Sequence, residues 1–181
     1  MSDYEIISKS EALYLDACVL PKIDIETGGE EARLARILIY MSCIPVYCSF
    51  VGFGEFFHVA GKKLSQKNIG IAGYLFSCRS LMMDQDIGRL RRVEPGEDKT
   101  KFFQLAQRLE AKYSLLGGGD IWHLMAAIEL QSGNQQITLF SFDRKLVSAA
   151  KAEGIQAVCG NGLDPDLVVE ELQRNGKFLG N

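Results

Sequence analysis

The stretch Leu116–Leu146, LGGGDIWHLMAAIELQSGNQQITLFSFDRKL, decides the fold. Glycines 117–119 lead into Asp120, and Ile121, Leu124, Met125 and Ile128 then recur at helical spacing. Gly133 and Asn134 stop that helix. Ile137–Phe142 reads as a short apolar strand ending at Asp143, and a second helix, RKLVSAAKAEG, begins at once and closes at Gly154. One aspartate therefore opens a helix, and another stands where a strand hands over to a helix. In an open α/β sheet the strand C-termini and helix N-termini share one edge, and ligands bind there. Two carboxylates on that edge are a candidate cation site.

The same alternation extends in both directions. Upstream, Lys99–Leu115 is an amphipathic helix with Phe102, Phe103, Leu105, Ala106 and Leu109 expected to face inward. Ile87–Val93 is a strand ended by Pro95 and Gly96. Gln66–Asp84 is a helix, and its apolar-rich part, Ile69–Met83, is expected to be mostly buried. Phe50–Leu64 is a helix that carries Glu55 and takes Ser49 as N-cap, after a short strand over Pro45–Ser49. Glu30 or Glu31 opens a helix running to about Cys43, with acids suited to its first turn. Ala12–Asp16, ALYLD, is a buried strand ending in an acid. Downstream, IQAVC is a last strand, and DPDLVVEELQRNG a last helix with Asp164 as N-cap and Pro165 at its first position. Strands alternating with helices predict a three-layer α/β fold with a mainly parallel sheet. No repeat or linker interrupts it. A single domain over 1–181 is expected, with its core at about 12–160 and a C-terminal helix at about 164–175.

Composition narrows the class. Of 181 residues, 47% are apolar and 24% charged, as in a globular protein that builds its own core. No apolar run reaches membrane-spanning length, and MSDYEIISKS is no signal peptide, so no membrane partner is expected. Five cysteines, an odd number without a C-x-x-C, read as buried free thiols in a cytoplasmic protein. His58 and His123 lack ligand-spaced cysteines, which argues against zinc. The net charge of −3 does not advertise a polyanion partner, although a bound divalent cation inverts the local sign at a carboxylate cluster.

Four acids stand out: Asp16, Glu55, Asp120 and Asp143. Hard Mg²⁺ or Mn²⁺ ions take oxygen ligands, and converging carboxylates repel one another unless a cation or protons compensate. Such an ion acidifies a bound water and clamps a phosphoryl oxygen, the apparatus for phosphodiester hydrolysis. Capping alone also places aspartate at helix starts, so Asp120 and Asp143 taken singly have a purely structural reading. Three acids on separate elements at one end of the sheet favour the site. His123 and His58 each lie one turn from an acid and are expected to pack as core histidines, with Trp122 and the phenylalanines also in the core.

Taken in order, YLDACVL, SFVGFGE, GDIWHLMAA and SFDRKLVSAAKAEGIQAV resemble the PIN domain, a family of metal-dependent ribonucleases that includes many toxins of toxin–antitoxin pairs. The resemblance spans about Tyr14 to Val158, with Ser141 where the family usually has threonine. It implies a five-stranded parallel sheet in α/β/α layers. It also implies that Asp16, Glu55, Asp120 and Asp143 hold Mg²⁺ or Mn²⁺ and that RNA is cut to 5′-phosphate and 3′-hydroxyl ends. Ser49 and Ser141 would then orient carboxylates or water. Arg144 and Lys145 would meet RNA phosphates. A homodimer and an antitoxin partner are implied too, the helices between Gly52 and Asp84 offering apolar grooves. The alternative is a catalytically inactive PIN-like module that binds RNA or protein. A phosphatase of the haloacid-dehalogenase type needs D-x-D after its first strand, and Asp16-Ala17-Cys18 fails that pattern.

Overall fold

A computed structural model describes residues 1–26, 28–94, 96, 98–133 and 136–179, the side chain of Lys99 aside. The breaks assigned to Pro95 and Asn134 lie outside the described residues. In chain order the elements are α1 (Asp3–Lys9), β1 (Ala12–Leu15), α2 (Pro21–Asp24), α3 (Gly29–Arg36), a π-helical turn (Ile37–Met41), β2 (Val46–Ser49) and α4 (Phe50–Ser65). There follow α5 (Ile71–Asp86), β3 (Leu90–Val93), α6 (Lys99–Lys112), α7 (Gly118–Ser132), β4 (Ile137–Ser141), α8 (Arg144–Ala152), β5 (Gln156–Cys159) and α9 (Pro165–Arg174). The five strands pair in the order β3-β2-β1-β4-β5, and every pairing is parallel. The expected α/β sandwich is therefore the fold.

Strand alternation divides the core. Leu13 and Leu15 of β1 point into one apolar cluster, with side chains from α1, α3, α4 and α9. Ala12 and Tyr14 point into the other, beneath α6, α7 and α8. The caps expected from sequence form: Ser49 Oγ accepts the Gly52 N–H at 3.1 Å, and Asp143 and Asp164 accept backbone N–H groups at the starts of α8 and α9. No helix among the described residues is long and apolar enough to cross a membrane.

Several expectations are corrected. The N-terminal helix α1 is an addition: Ser2 and Glu5 close a reciprocal capping box at its start. The helix expected from Glu30 to Cys43 ends at Arg36 and passes into the π-helical turn. The helix expected from Gln66 begins at Ile71, because Gly70 is extended and serves as its N-cap. Nor is that helix mostly buried. Its inward residues are Ser77, Leu81 and Asp84, while Ile71, Leu75, Phe76, Met82 and Met83 lie in water. Polar anchors set this rotation: Ser77 Oγ donates to the Asp24 carbonyl at 3.3 Å, and Asp84 accepts from Tyr40 at 2.8 Å and Arg89 at 2.7 Å. Phe103 also points outward, because Phe102 takes the inward position against Trp122. Phe50 and Phe76 are exposed as well, so the phenylalanines are not all core. Of the five cysteines, all free, only Cys48 is buried and Cys43 is exposed.

Candidate functional site

Because the sheet is parallel, β1, β2 and β4 end on one edge. That edge carries Asp16 just after β1, Ser49 at the end of β2, and Ser141 followed by Asp143 at the end of β4. Two helix starts close over it. Glu55 lies in the second turn of α4, and Asp120 is the third residue of α7, after its N-cap Gly117. Asp120 is thus not itself the N-cap. It reaches back, its Oδ2 accepting the Gly117 N–H at 2.9 Å.

Asp16 is buried, and its Oδ2 is held by two donors: Ser141 Oγ at 2.7 Å and Cys18 Sγ at 2.9 Å. Burial and the Asp16 charge push the Cys18 thiol far up, so it remains a protonated donor. The Ser141 hydroxyl also accepts the Asp143 N–H at 2.8 Å, tying two acids to one oxygen. Asp143 Oδ1 in turn accepts the Lys145 N–H at 2.6 Å. A pattern runs through these contacts. In Asp16, Asp120 and Asp143, one carboxylate oxygen is fixed by neutral donors, and the other has no hydrogen bond among the described residues. No lysine or arginine forms an ion pair with any of the four acids among the described residues.

The acids feel one another. Partial burial raises the Asp120 carboxyl above the usual aspartate range, and the Asp16 and Asp143 charges raise it further, against the Gly117 N–H bond.

His123 lies inside this cluster rather than beside it, although the sequence favours a packed core histidine. It is both: buried, with Nε2 3.5 Å from Asp16 Oδ1 and 3.8 Å from Glu55 Oε2. Its Nδ1 meets the Tyr14 hydroxyl at 2.8 Å and Ser49 Oγ at 3.3 Å. Burial, then the neighbouring Cys48, push the Tyr14 phenol well above its ordinary range, so Tyr14 donates. Ser49 Oγ, which accepts from Gly52, stands farther from Nδ1 than the Tyr14 hydroxyl that takes its lone pair. With Nδ1 as acceptor, the neutral ring carries its proton on Nε2. That buried atom has no hydrogen-bond partner and faces the gap between Asp16 and Glu55. His58, by contrast, is exposed.

Two glycines permit these approaches. A Cβ at Gly52 would collide with Cys48 Sγ and press on His123, and one at Gly119 would collide with Glu55 Oε1. The glycine run before Asp120 therefore makes room for the Glu55 carboxylate. Arg144 and Lys145 are exposed and border an open groove of about 460 Å³ with Lys112, Tyr113 and Leu116, beside Asp143.

The donor set suits a hard divalent cation in chemistry: free carboxylate oxygens with no lysine or arginine paired to them among the described residues. His123, with its proton on Nε2, would offer such an ion no lone pair but could donate to a group held there. No group of three or more His, Cys, Asp or Glu side chains among the described residues is gathered closely enough to enclose an ion. Mg²⁺ keeps several waters and is usually bound through only one or two carboxylates, so an enclosed cluster is not a requirement for it. Sequence reasoning missed Tyr14 and Cys18. Tyr14 looks like strand core, and only its position two residues before Asp16, on the same strand face, links it to the site. No family model matches the chain, and no curated protein matches it at a significant level.

Proposed function

We propose that the protein is a metal-dependent endoribonuclease of the PIN type, with Asp16, Glu55, Asp120 and Asp143 holding Mg²⁺ or Mn²⁺. The observation that carries this reading is the half-tethered state of the carboxylates: neutral donors fix one oxygen of each aspartate, and the other oxygen has no cationic side chain on it among the described residues. Buried or crowded carboxylates left in that state are costly to fold without a cation. A divalent ion would supply an acidified water and a counter-charge for the phosphoryl oxygen.

The protein's own groups divide the remaining work. Ser141 sets the relative orientation of Asp16 and Asp143, and Cys18 holds the same Asp16 oxygen. Tyr14 and Ser49 hold the His123 ring so that its Nε2 faces Asp16 and Glu55. Arg144 and Lys145 offer positive charge to an RNA backbone along the groove beside Asp143. A cytoplasmic setting, a homodimer and an antitoxin partner belong to the same reading.

The alternative is a PIN-like module that binds RNA or protein without cutting it. The absence of an enclosed three-ligand cluster among the described residues is the observation that favours it. The deciding experiment is cleavage of labelled single-stranded RNA and transfer RNA with Mn²⁺, Mg²⁺ or EDTA, with Asp16→Asn and Asp143→Asn alongside. Cutting that needs metal and is lost in both variants supports the nuclease. Absence of cutting together with absence of metal binding by calorimetry supports the binding module.

A further inference from the structure

Imidazole suits zinc, whereas carboxylate and water suit Mg²⁺ and Mn²⁺. The acid edge holds both kinds of group, because His123 Nε2 lies 3.5 Å from Asp16 Oδ1 and 3.8 Å from Glu55 Oε2. Ring nitrogen and carboxylate oxygen each bind Zn²⁺ at roughly 2.0–2.2 Å, which sets two ligands of one tetrahedral ion about 3.4 Å apart. By position alone, His123 and Asp16 could therefore share a zinc ion. The proton on Nε2 forbids it, because a protonated ring nitrogen has no lone pair to give. What holds that proton there decides which metals the edge accepts.

The proton is held from the far side of the ring. A histidine that binds metal through Nε2 carries its proton on Nδ1 and donates it to a carboxylate, a carbonyl or water. Here Nδ1 meets a donor instead, the Tyr14 hydroxyl at 2.8 Å. Tyr14 cannot exchange roles at little cost. Its phenol is fully buried and titrates well above its ordinary range, so it keeps its hydrogen, and Nδ1 is the acceptor that this hydrogen reaches. With Nδ1 protonated, two hydrogens would meet across the contact, or the phenol would turn away and bury its hydrogen unpaired. Edge-on packing against the Tyr14 ring and the bare backbone of Gly52 keeps the imidazole in this orientation. Ser49 is more permissive. Its Oγ, 3.3 Å from Nδ1, accepts from Gly52 and, as a hydroxyl, can either donate to the ring or take a hydrogen from it. The Tyr14 hydroxyl alone therefore locks the ring.

We infer that Tyr14 selects the class of metal: by donating to Nδ1 it keeps His123 a hydrogen-bond donor at the acid edge, so the edge binds an ion through oxygen alone and gains nothing from zinc's affinity for imidazole. Tyr14 is thus a positioning residue that acts through His123. The inference rests on the reading of the four acids as a cation site, but not on what that site cuts.

The test is calorimetric titration of Zn²⁺ and of Mn²⁺ into the full chain at about pH 7.5, above the ordinary histidine range, with nitrogen NMR of the His123 ring. In the wild type, Nε2 should keep its proton when either ion binds. Tyr14→Phe should tighten Zn²⁺ binding about tenfold, the equivalent of one hydrogen bond, and leave Mn²⁺ binding within about twofold. In that variant Zn²⁺ should move the ring proton to Nδ1 and shift the Nε2 resonance to that of a metal ligand. Adding His123→Leu to Tyr14→Phe should abolish the zinc gain while Mn²⁺ still binds. If the double variant does not fold, the ring resonances of Tyr14→Phe decide alone. Equal changes for both ions in Tyr14→Phe overturn the inference, and so does a wild-type Nε2 that already binds zinc. Mn²⁺ binding without any zinc gain overturns it and leaves the cation site standing. Absence of binding of either ion by every form overturns the cation site and the inference together.

Discussion

Ser141→Ala removes one oxygen atom and the two hydrogen bonds that tie it to the acids. The hydroxyl is fully buried, donates to Asp16 at 2.7 Å and accepts the Asp143 N–H at 2.8 Å. A hydrogen bond to a charged group contributes about 1.5–3 kcal/mol, and a neutral one about 1 kcal/mol. Cys18 still serves the same Asp16 oxygen, which softens the first loss. The expected destabilisation is therefore about 2–4 kcal/mol. For a chain of this size that lowers the melting temperature by roughly 4–16 °C. Urea unfolding followed by circular dichroism, without added metal, measures it at an unchanged m-value. Loss of an outer partner of this kind costs about 10–100-fold in metal affinity or activity, so calorimetric Mn²⁺ binding should weaken in parallel. Ser141→Thr keeps the hydroxyl and should recover most of the binding, while packing its extra methyl costs about 1–3 kcal/mol. A stability change in Ser141→Ala below about 0.5 kcal/mol, the level of an ordinary surface substitution, would refute the claim that this oxygen joins two acids.

Three further outcomes follow from the site. Gly119→Ala should leave stability within about 0.5 kcal/mol, because the new methyl meets the free end of the Glu55 side chain rather than backbone, but it should displace Glu55 and weaken Mn²⁺ binding; an unaltered calorimetric titration would sink this. Asp120→Asn should raise the melting temperature of the metal-free protein at neutral pH. The folded carboxyl titrates above the unfolded one, so ionisation costs stability as pH rises from the ordinary aspartate range through the folded value, and the variant should flatten that decline; equal melting curves from pH 3 to 7 would contradict it. Tyr14→Phe should cost about 1 kcal/mol through the lost bond to His123, and nitrogen NMR should find the neutral wild-type ring protonated at Nε2; a ring protonated at Nδ1 would reverse the assigned direction of the bond.

The layers of the fold were legible because each strand is a short apolar run between helix caps. Ser49, Asp143 and Asp164 announce helix starts through their own side-chain chemistry, and each acts as a cap in the structure. The acids that end strands were legible for the same reason, since a parallel sheet sends every strand end to one edge. What the sequence hid depends on rotation about a helix axis. α5 is apolar enough to predict burial, yet Ser77 and Asp84 hold partners among α2, the π-helical turn and the start of β3, and this turns the apolar side out. His123 was read only in part for a related reason. Burial and participation look like alternatives in a sequence, but a ring can be walled by core on one side and face carboxylates on the other. Tyr14 shows the limit most plainly: nothing local to its sequence says that its hydroxyl ends on a histidine in another helix.

The strand order has a temporal consequence. β1 sits at the centre of the sheet; β2 and β3 add on one side of it, and β4 and β5 on the other. Asp16 leaves the ribosome well before the serine that fixes its carboxylate, which lies 125 positions later. At about 5–20 residues per second that interval is on the order of ten seconds. During it the emerging chain holds Asp16 and Glu55 without Asp120, Ser141 or Asp143. The edge that gathers the acids is completed only when β4 docks beside β1, so the central strand must wait, already made, for the partner that finishes its C-terminal edge.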